Sequence, residues 1–190
     1  MVNELNRRQA ILAAASALVT TRMVQAATER APRQPICVFT KPFNSLSFDT
    51  LADRIAELGF DGIEAPIRKG GHVEPAEVED QLPKLVEALR KRDLEITVMA
   101  SDVNDPNDPV TAKVLRTAAA LGVRRYRMKY LNYDLKRSVV DQLDERRPRF
   151  RDLAAMNRDI GIRAVYQNHA SGRILGATLW DLKQIGRAHV

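Results

Sequence analysis

The sequence predicts an α/β protein: parallel strands joined by crossover helices, making up about the first five strands of a partial (β/α)8 TIM barrel. Three observations predict it. Short apolar runs rich in β-formers alternate with segments of helical periodicity along most of the chain. Helix-to-strand turns are short and carry glycine, as at Gly59, Gly122 and Gly161, whereas strand-to-helix loops are longer. No glycine-rich dinucleotide or Walker loop follows the first strand, which runs instead into Lys41-Pro42-Phe43-Asn44. Such alternation requires parallel strands with crossover helices. Their common hand brings every strand-to-helix loop to one rim, the end of the sheet where ligands bind.

The elements follow in order. Ile36 to Thr40 is a continuous apolar run, as expected of a strand buried on both faces. Ser47 is placed to cap a helix on which Phe48, Leu51, Ile55 and Leu58 recur at helical spacing. Phe60 to Ala65 is the second strand, and Pro66 to Pro75 a loop containing Gly70-Gly71-His72. The next helix spans Glu79 to Arg92, with Pro83 in its first turn or at a kink. Leu94 to Ala100 is the third strand, and Val110 to Leu121 the helix after it. The spacing predicts a fourth strand over Val123–Tyr130, a long helix over Ser138–Ile160 and a fifth strand over Ile162–Gln167. A last helix opens at Thr178. A complete barrel of this type takes about 250 residues, so the expectation is the N-terminal part of a longer barrel, over residues 36–184.

Both ends read differently. Asn6-Arg7-Arg8 leads into the apolar run Ala10 to Thr21, too short to span a bilayer, and Val24-Gln25-Ala26 offers a small-residue cleavage site. Residues 1–27 therefore read as a twin-arginine (Tat-type) signal peptide, and residues 28–35 as a linker. The expected location is periplasmic or secreted, with no membrane attachment after signal removal. At the other end, residues 185–190 (Ile-Gly-Arg-Ala-His-Val) match one reading frame of a common sequencing adapter. They are expected to be a non-native tail.

The chain has 190 residues, 45% hydrophobic and 28% charged, enough for one domain with a sizeable core. Its net charge is +6. Arginines cluster at Arg124, Arg125 and Arg127 with Lys129, and again at Arg146, Arg147, Arg149 and Arg151. Neither cluster is laid out as the stacking platform that single-stranded nucleic acid needs, so they read as solvated surface and no nucleic-acid partner is expected. The lone Cys37 excludes an internal disulfide and reads as a small core residue.

At the rim the strand ends present Lys41, Glu64, Ser101, Asp102, Lys129, Gln167, Asn168 and His169, with His72 in the loop after the second strand. This is a set of oxygen and nitrogen donors without a thiol, suited to a polyol and to a hard or borderline divalent ion. Glu64 is the most informative of them. An acid on an otherwise apolar strand is costly to bury unless it is paired, which favours a site role. The others have plainer roles open to them: loop-backbone partners for His72 and His169, a helix-entry turn for Ser101-Asp102, and a snorkelling ammonium for Lys129.

Gly59-Phe60-Asp61-Gly62-Ile63-Glu64, Gly70-Gly71-His72-Val73-Glu74-Pro75, Tyr166-Gln167-Asn168-His169 and Gly176-Ala177-Thr178-Leu179-Trp180-Asp181-Leu182 resemble the sugar phosphate isomerase/epimerase family of xylose isomerase-like TIM barrels. The resemblance implies a sugar-like small-molecule substrate and aldose–ketose isomerisation or epimerisation. A divalent cation (Mn, Mg, Zn or Co) would polarise the substrate while a carboxylate moves a proton on the adjacent carbon. It implies catalytic roles for Glu64, Gln167 and Lys129, substrate contacts from His72, Ser101, Asn168 and His169, and metal ligation by Gln167. Many members carry a glutamate where this chain has Gln167, and an amide cannot shuttle a proton at neutral pH. The remaining ligands of the family, an Asp and a His after strand six and a Glu near strand eight, would fall in sequence this chain lacks. Two alternatives stand beside the isomerase: an exported, non-catalytic sugar-binding barrel, which Gln167 favours, and a metal-dependent endonuclease-like hydrolase. The hydrolase ranks last because only His72 and His169 could serve its metal cluster.

Overall fold

The computed structural model describes residues 34–186. The expected signal peptide, most of the linker and the last four residues of the expected tail lie outside them. Five strands form one sheet in sequence order: β1 (Cys37–Phe39), β2 (Gly62–Ile67), β3 (Glu95–Ser101), β4 (Arg125–Arg127) and β5 (Arg163–Val165). Every neighbouring pair is parallel. The helices between and after them are α1 (Phe48–Glu57), α2 (Val78–Arg90), α3 (Pro109–Ala120), α4 (Val139–Ile160) and α5 (Leu179–Gly186). A sheet whose order equals its sequence order, with a helix in each crossover, is the arrangement of a barrel wall.

Local chemistry sets the boundaries. Ser47, Asp108 and Ser138 each accept a hydrogen bond from a backbone N–H in the first turn of α1, α3 and α4. α4 ends on Gly161 at φ 77°, a left-handed position that glycine adopts without a steric penalty. On β2 the alternation is strict where it matters. Ile63, Ala65 and Ile67 are fully buried with Leu51, Ile55, Leu82, Leu85 and Leu89 of the flanking helices, while Glu64 takes the other face. Met99, Tyr126, Phe150 and Leu153 extend the same core across the sheet.

Several boundaries differ from those the sequence predicts. β4 covers only Arg125–Arg127, because Val123 N–H returns to Ala118 O at 3.0 Å and Lys129 N–H turns to Val103 O at 3.0 Å. β5 is likewise three residues, so Gln167 stands on the loop beyond it. Pro83 lies inside α2 rather than in its first turn, since a short 3₁₀ turn at Pro75–Glu77 leads straight into Val78. Pro148 likewise lies inside α4, which runs unbroken through it. α5 continues through Ile185, whose side chain is buried, to Gly186. Among the described residues no helix is long and apolar enough to cross a membrane.

Burying a leucine or isoleucine side chain fully contributes about 1.5–3 kcal/mol, so the layer between sheet and helices carries the fold. Leu85→Ala should lower stability by about 2–5 kcal/mol in urea denaturation. Leu58→Ala, at an exposed site, should stay within about 0.5 kcal/mol of the parent chain.

Candidate functional site

The face of the sheet away from the helices carries the polar groups. Glu64 sits in register with Phe39 on β1 and Val98 on β3. Arg127, the last residue of β4, donates from Nε to Glu64 Oε1 at 2.6 Å. The side chains are 13% and 23% exposed, so the ion pair is largely withdrawn from water. The same guanidinium donates from Nη1 to Gln167 Oε1 at 2.9 Å, and Tyr130 Oη donates to that oxygen at 2.7 Å. It also lies over the Phe39 ring, 5.3 Å from the centroid, where Arg68 lies at 5.7 Å. One guanidinium therefore joins β1, β2, β4 and the loop after β5. Charge-assisted bonds of this length in a half-dry setting are roughly twice as strong as neutral ones.

A second layer holds the β2–α2 loop. His72 N–H bonds to Pro66 O at 2.8 Å, Gly71 N–H to Arg68 O at 2.8 Å and Gly70 N–H to Glu74 Oε1 at 2.7 Å. Asn44 Nδ2 reaches Gly70 O at 2.7 Å, and Lys69 N–H reaches Asp102 Oδ2 at 2.8 Å. A Cβ on Gly71 would lie 2.2 Å from Pro66 O, so a side chain there would break the turn. The loop sets His72 Nε2 2.9 Å from Thr40 Oγ1. Thr40 Oγ1 donates its own proton to Glu64 O at 3.2 Å, so it accepts from His72, and Nε2 carries the hydrogen. Burial pushes the His72 pKa below its ordinary value, with hydrogen bonding to Thr40 opposing that shift, so the ring is neutral at pH 7.

The structure brings Glu64 and Gln167 together through Arg127, and ties His72 to Glu64 through Thr40. It does not bring Lys129 to them: the chain has left the sheet, and Nζ stands 3.6 Å from Asp102 Oδ1. The Ser101 hydroxyl is engaged structurally, donating to Arg127 O at 3.0 Å and accepting from Val103 N–H at 3.2 Å. Asn168 and His169 are exposed on the β5–α5 loop, where the His169 ring meets the Tyr130 ring edge-on at 5.3 Å. Sequence reasoning missed Phe39, Arg68, Arg127 and Tyr130. A signal existed for Arg127. An acid on the inner face of one strand calls for a base on the inner face of a near neighbour, and Arg127 lies next to the core residue Tyr126.

These residues do not fit a divalent cation. Gln167 Oε1, the expected ligand, already accepts from two donors, and one of them is a guanidinium that would repel the ion. Among the described residues no three His, Cys, Asp or Glu side chains converge as a metal site requires.

Residues 52–189 match the xylose isomerase-like TIM barrel family, and the chain belongs to it. The solved structures it resembles include a probable 3-DHS dehydratase from Bacillus anthracis, at 16% identity and a TM-score of 0.63 over 82% of this chain and 59% of that one. A 3-keto-D-glucoside 4-epimerase from E. coli is similar at 15% identity and a TM-score of 0.62, over 82% of this chain and 65% of that one. The IolI protein, solved with a bound zinc atom, is similar at 13% identity and a TM-score of 0.61, over 82% of this chain and 59% of that one. Identities this low speak for the fold alone. The chain spans 59–65% of the length of these relatives. No curated protein sequence matches it.

Two outcomes follow from this geometry. Arg127→Met strands the Glu64 charge in a half-dry site and should cost about 1–3 kcal/mol in denaturation experiments. Adding Glu64→Gln should recover part of that loss. The folded pKa of His72 lies below its unfolded value of about 6.5, so the unfolded chain takes up the proton first as pH falls. The stability held by neutral His72 is complete above that value and is lost as pH falls through the depressed folded pKa. Denaturation midpoints measured from pH 8 to pH 5 should show this component in the parent chain and lack it in His72→Gln.

Proposed function

We propose that the intact protein binds a sugar-like polyol at the strand C-terminal rim and acts on it as an isomerase or epimerase. The observation that carries this reading is the Glu64–Arg127–Gln167–Tyr130 network on the inner face of the sheet. It offers a hydroxyl, an amide, a carboxylate and a guanidinium within one cluster, the mix of donors and acceptors that a polyol uses. Membership of the family, and likeness to an epimerase and a dehydratase, support it. In the chemistry proposed, Arg127 donates to the substrate carbonyl oxygen and stabilises the negative charge that develops there. Glu64 is the one group of the four that can take a proton from the neighbouring carbon and return it, once substrate displaces Arg127 from its carboxylate. Gln167 holds hydroxyls and cannot move a proton. Tyr130 fixes Gln167 with its oxygen toward the guanidinium.

One observation favours a second reading, an exported sugar-binding barrel without turnover. Glu64 is bonded to Arg127 at 2.6 Å, and position 167, where the family resemblance implies a second carboxylate, is an amide. Incubating the purified intact protein with a panel of ketoses and aldoses in D₂O separates the two. An isomerase or epimerase incorporates deuterium at the carbon beside the carbonyl, and Glu64→Gln should lower that rate at least about 100-fold. A binding protein gives saturable heat in calorimetry and no exchange. Neither heat nor exchange with any sugar would end both readings.

A further inference from the structure

The end of the sheet opposite the rim holds a cavity of about 490 Å³, a size usual for small-molecule sites. Arg124 and Arg125 reach it from the start of β4, Asn157 and Arg158 from the last turn of α4, and Arg163 from the start of β5. Among the described residues no acid lines it, and none of its four arginines forms an ion pair. Arg54, Arg92, Arg127, Arg137, Arg147 and Arg149, by contrast, each reach a carboxylate.

The fold holds these cations together against their own repulsion. β4 and β5 are parallel, with Arg125 in register with Arg163. The two side chains leave the same face of neighbouring strands, whose backbones lie about 4.8 Å apart, and like charges so placed are destabilising. Arg163 N–H also bonds to Arg124 O at 2.9 Å, which fixes the next arginine beside them. Helix carbonyls do not supply the missing negative charge. At the end of α4, Asn157 O and Arg158 O already accept from Gly161 N–H at 3.0 and 3.2 Å. Tyr126 Oη donates to Asn157 Oδ1 at 3.1 Å, which leaves that amide its N–H donors. Arg124 and Arg125 are consecutive and leave the chain on opposite sides, so the cations surround the strand ends. A further strand paired along β5 would lie beside that edge, not under the end of β4.

We infer that Arg124, Arg125, Arg158 and Arg163 form a binding site for a diphosphate group, free or carried by a nucleoside. A guanidinium meets a phosphate through two parallel N–H donors. One phosphate carries about two negative charges at neutral pH, so two phosphates balance four arginines, where one phosphate or one carboxylate does not. The site lies at the other end of the sheet from the Glu64–Arg127 cluster, and it stands whether or not a sugar binds at the rim.

The test is titration calorimetry and thermal denaturation of the intact protein with inorganic pyrophosphate, inorganic phosphate and ADP at constant ionic strength. Pyrophosphate should bind with one-to-one stoichiometry, about tenfold or more tightly than phosphate, and raise the denaturation midpoint. Tighter binding of ADP than of pyrophosphate would identify a nucleotide as the source of the group, and weaker binding the free anion. Arg125→Gln combined with Arg163→Gln should abolish binding. Because these two charges repel one another, the ligand-free double variant should melt no lower than the parent. Arg54→Ala, which removes one charge from the exposed side of α1, should leave pyrophosphate affinity intact. No saturable pyrophosphate binding, equal affinity for phosphate and pyrophosphate, or binding that persists in the double variant would overturn the site. So would a ligand-free double variant that melts well below the parent, which would assign the pair to stability. An oligonucleotide that binds these arginines more tightly than pyrophosphate would also overturn it, in favour of a nucleic-acid surface.

Discussion

Parallel pairing of all five strands is the constraint from which the remaining geometry follows. Each strand must leave the sheet at the same end, cross back through a helix and re-enter at the opposite end. The strand-to-helix loops then lie together, although Thr40, His72, Asp102 and Gln167 are far apart in sequence. The helices bury one face of the sheet with Ile63, Ala65 and Ile67, so polar side chains on β2 can only take the other face. Glu64 is where it is because the residues on either side of it are core residues.

The same constraint explains how an ion pair survives inside the sheet. Bringing Glu64 and Arg127 out of water costs several kcal/mol for each ion unless each finds other partners. Arg127 has them in Gln167, Tyr130 and the Phe39 ring. A guanidinium suits the position where a lysine would not, since its fork spans partners on both sides while its face stays on the ring. Truncating either charge leaves the other unsatisfied, which makes the pair weak as a source of stability but strong as a fixed geometry.

The fold was legible in the sequence because its signals are local and repeated: periodicity in each helix, glycine after α1, α3 and α4, and apolar strands between them. The lengths of β4 and β5 were less legible. Tyr130 and Gln167 continue their strands in composition but not in hydrogen bonding, and only tertiary contacts such as Lys129 N–H to Val103 O end the ladder. Glu64 was read as a site residue on sound physical grounds, an acid on an apolar strand. Its partner was not read, because Arg127 sits among other arginines and looks like surface when strands are considered singly. The sequence places Lys129 at the rim; in the structure it is the residue two positions earlier that bonds to Glu64, since the strand ends there and the chain turns toward Asp102. Pairing across β2 and β4 is a relation between distant segments, and periodicity within one segment carries no trace of it.

Residues 127 and 167 are best understood together. With glutamine at 167 the inner cluster holds one carboxylate and one guanidinium, and its charge is balanced. A glutamate there would add a second carboxylate beside the first, a surplus that draws in a cation, as a carboxylate-lined metal site does. The amide removes that surplus while keeping an oxygen of the same reach, and Arg127 and Tyr130 take up the oxygen's lone pairs. Arginine at 127 and glutamine at 167 are thus two halves of one arrangement. Its cation, the guanidinium, belongs to the chain itself and is fixed by hydrogen bonds to both partners. The donors it presents are directional N–H groups rather than an open coordination sphere, so the order of the cluster is set by hydrogen-bond geometry, with each oxygen placed by the N–H that faces it.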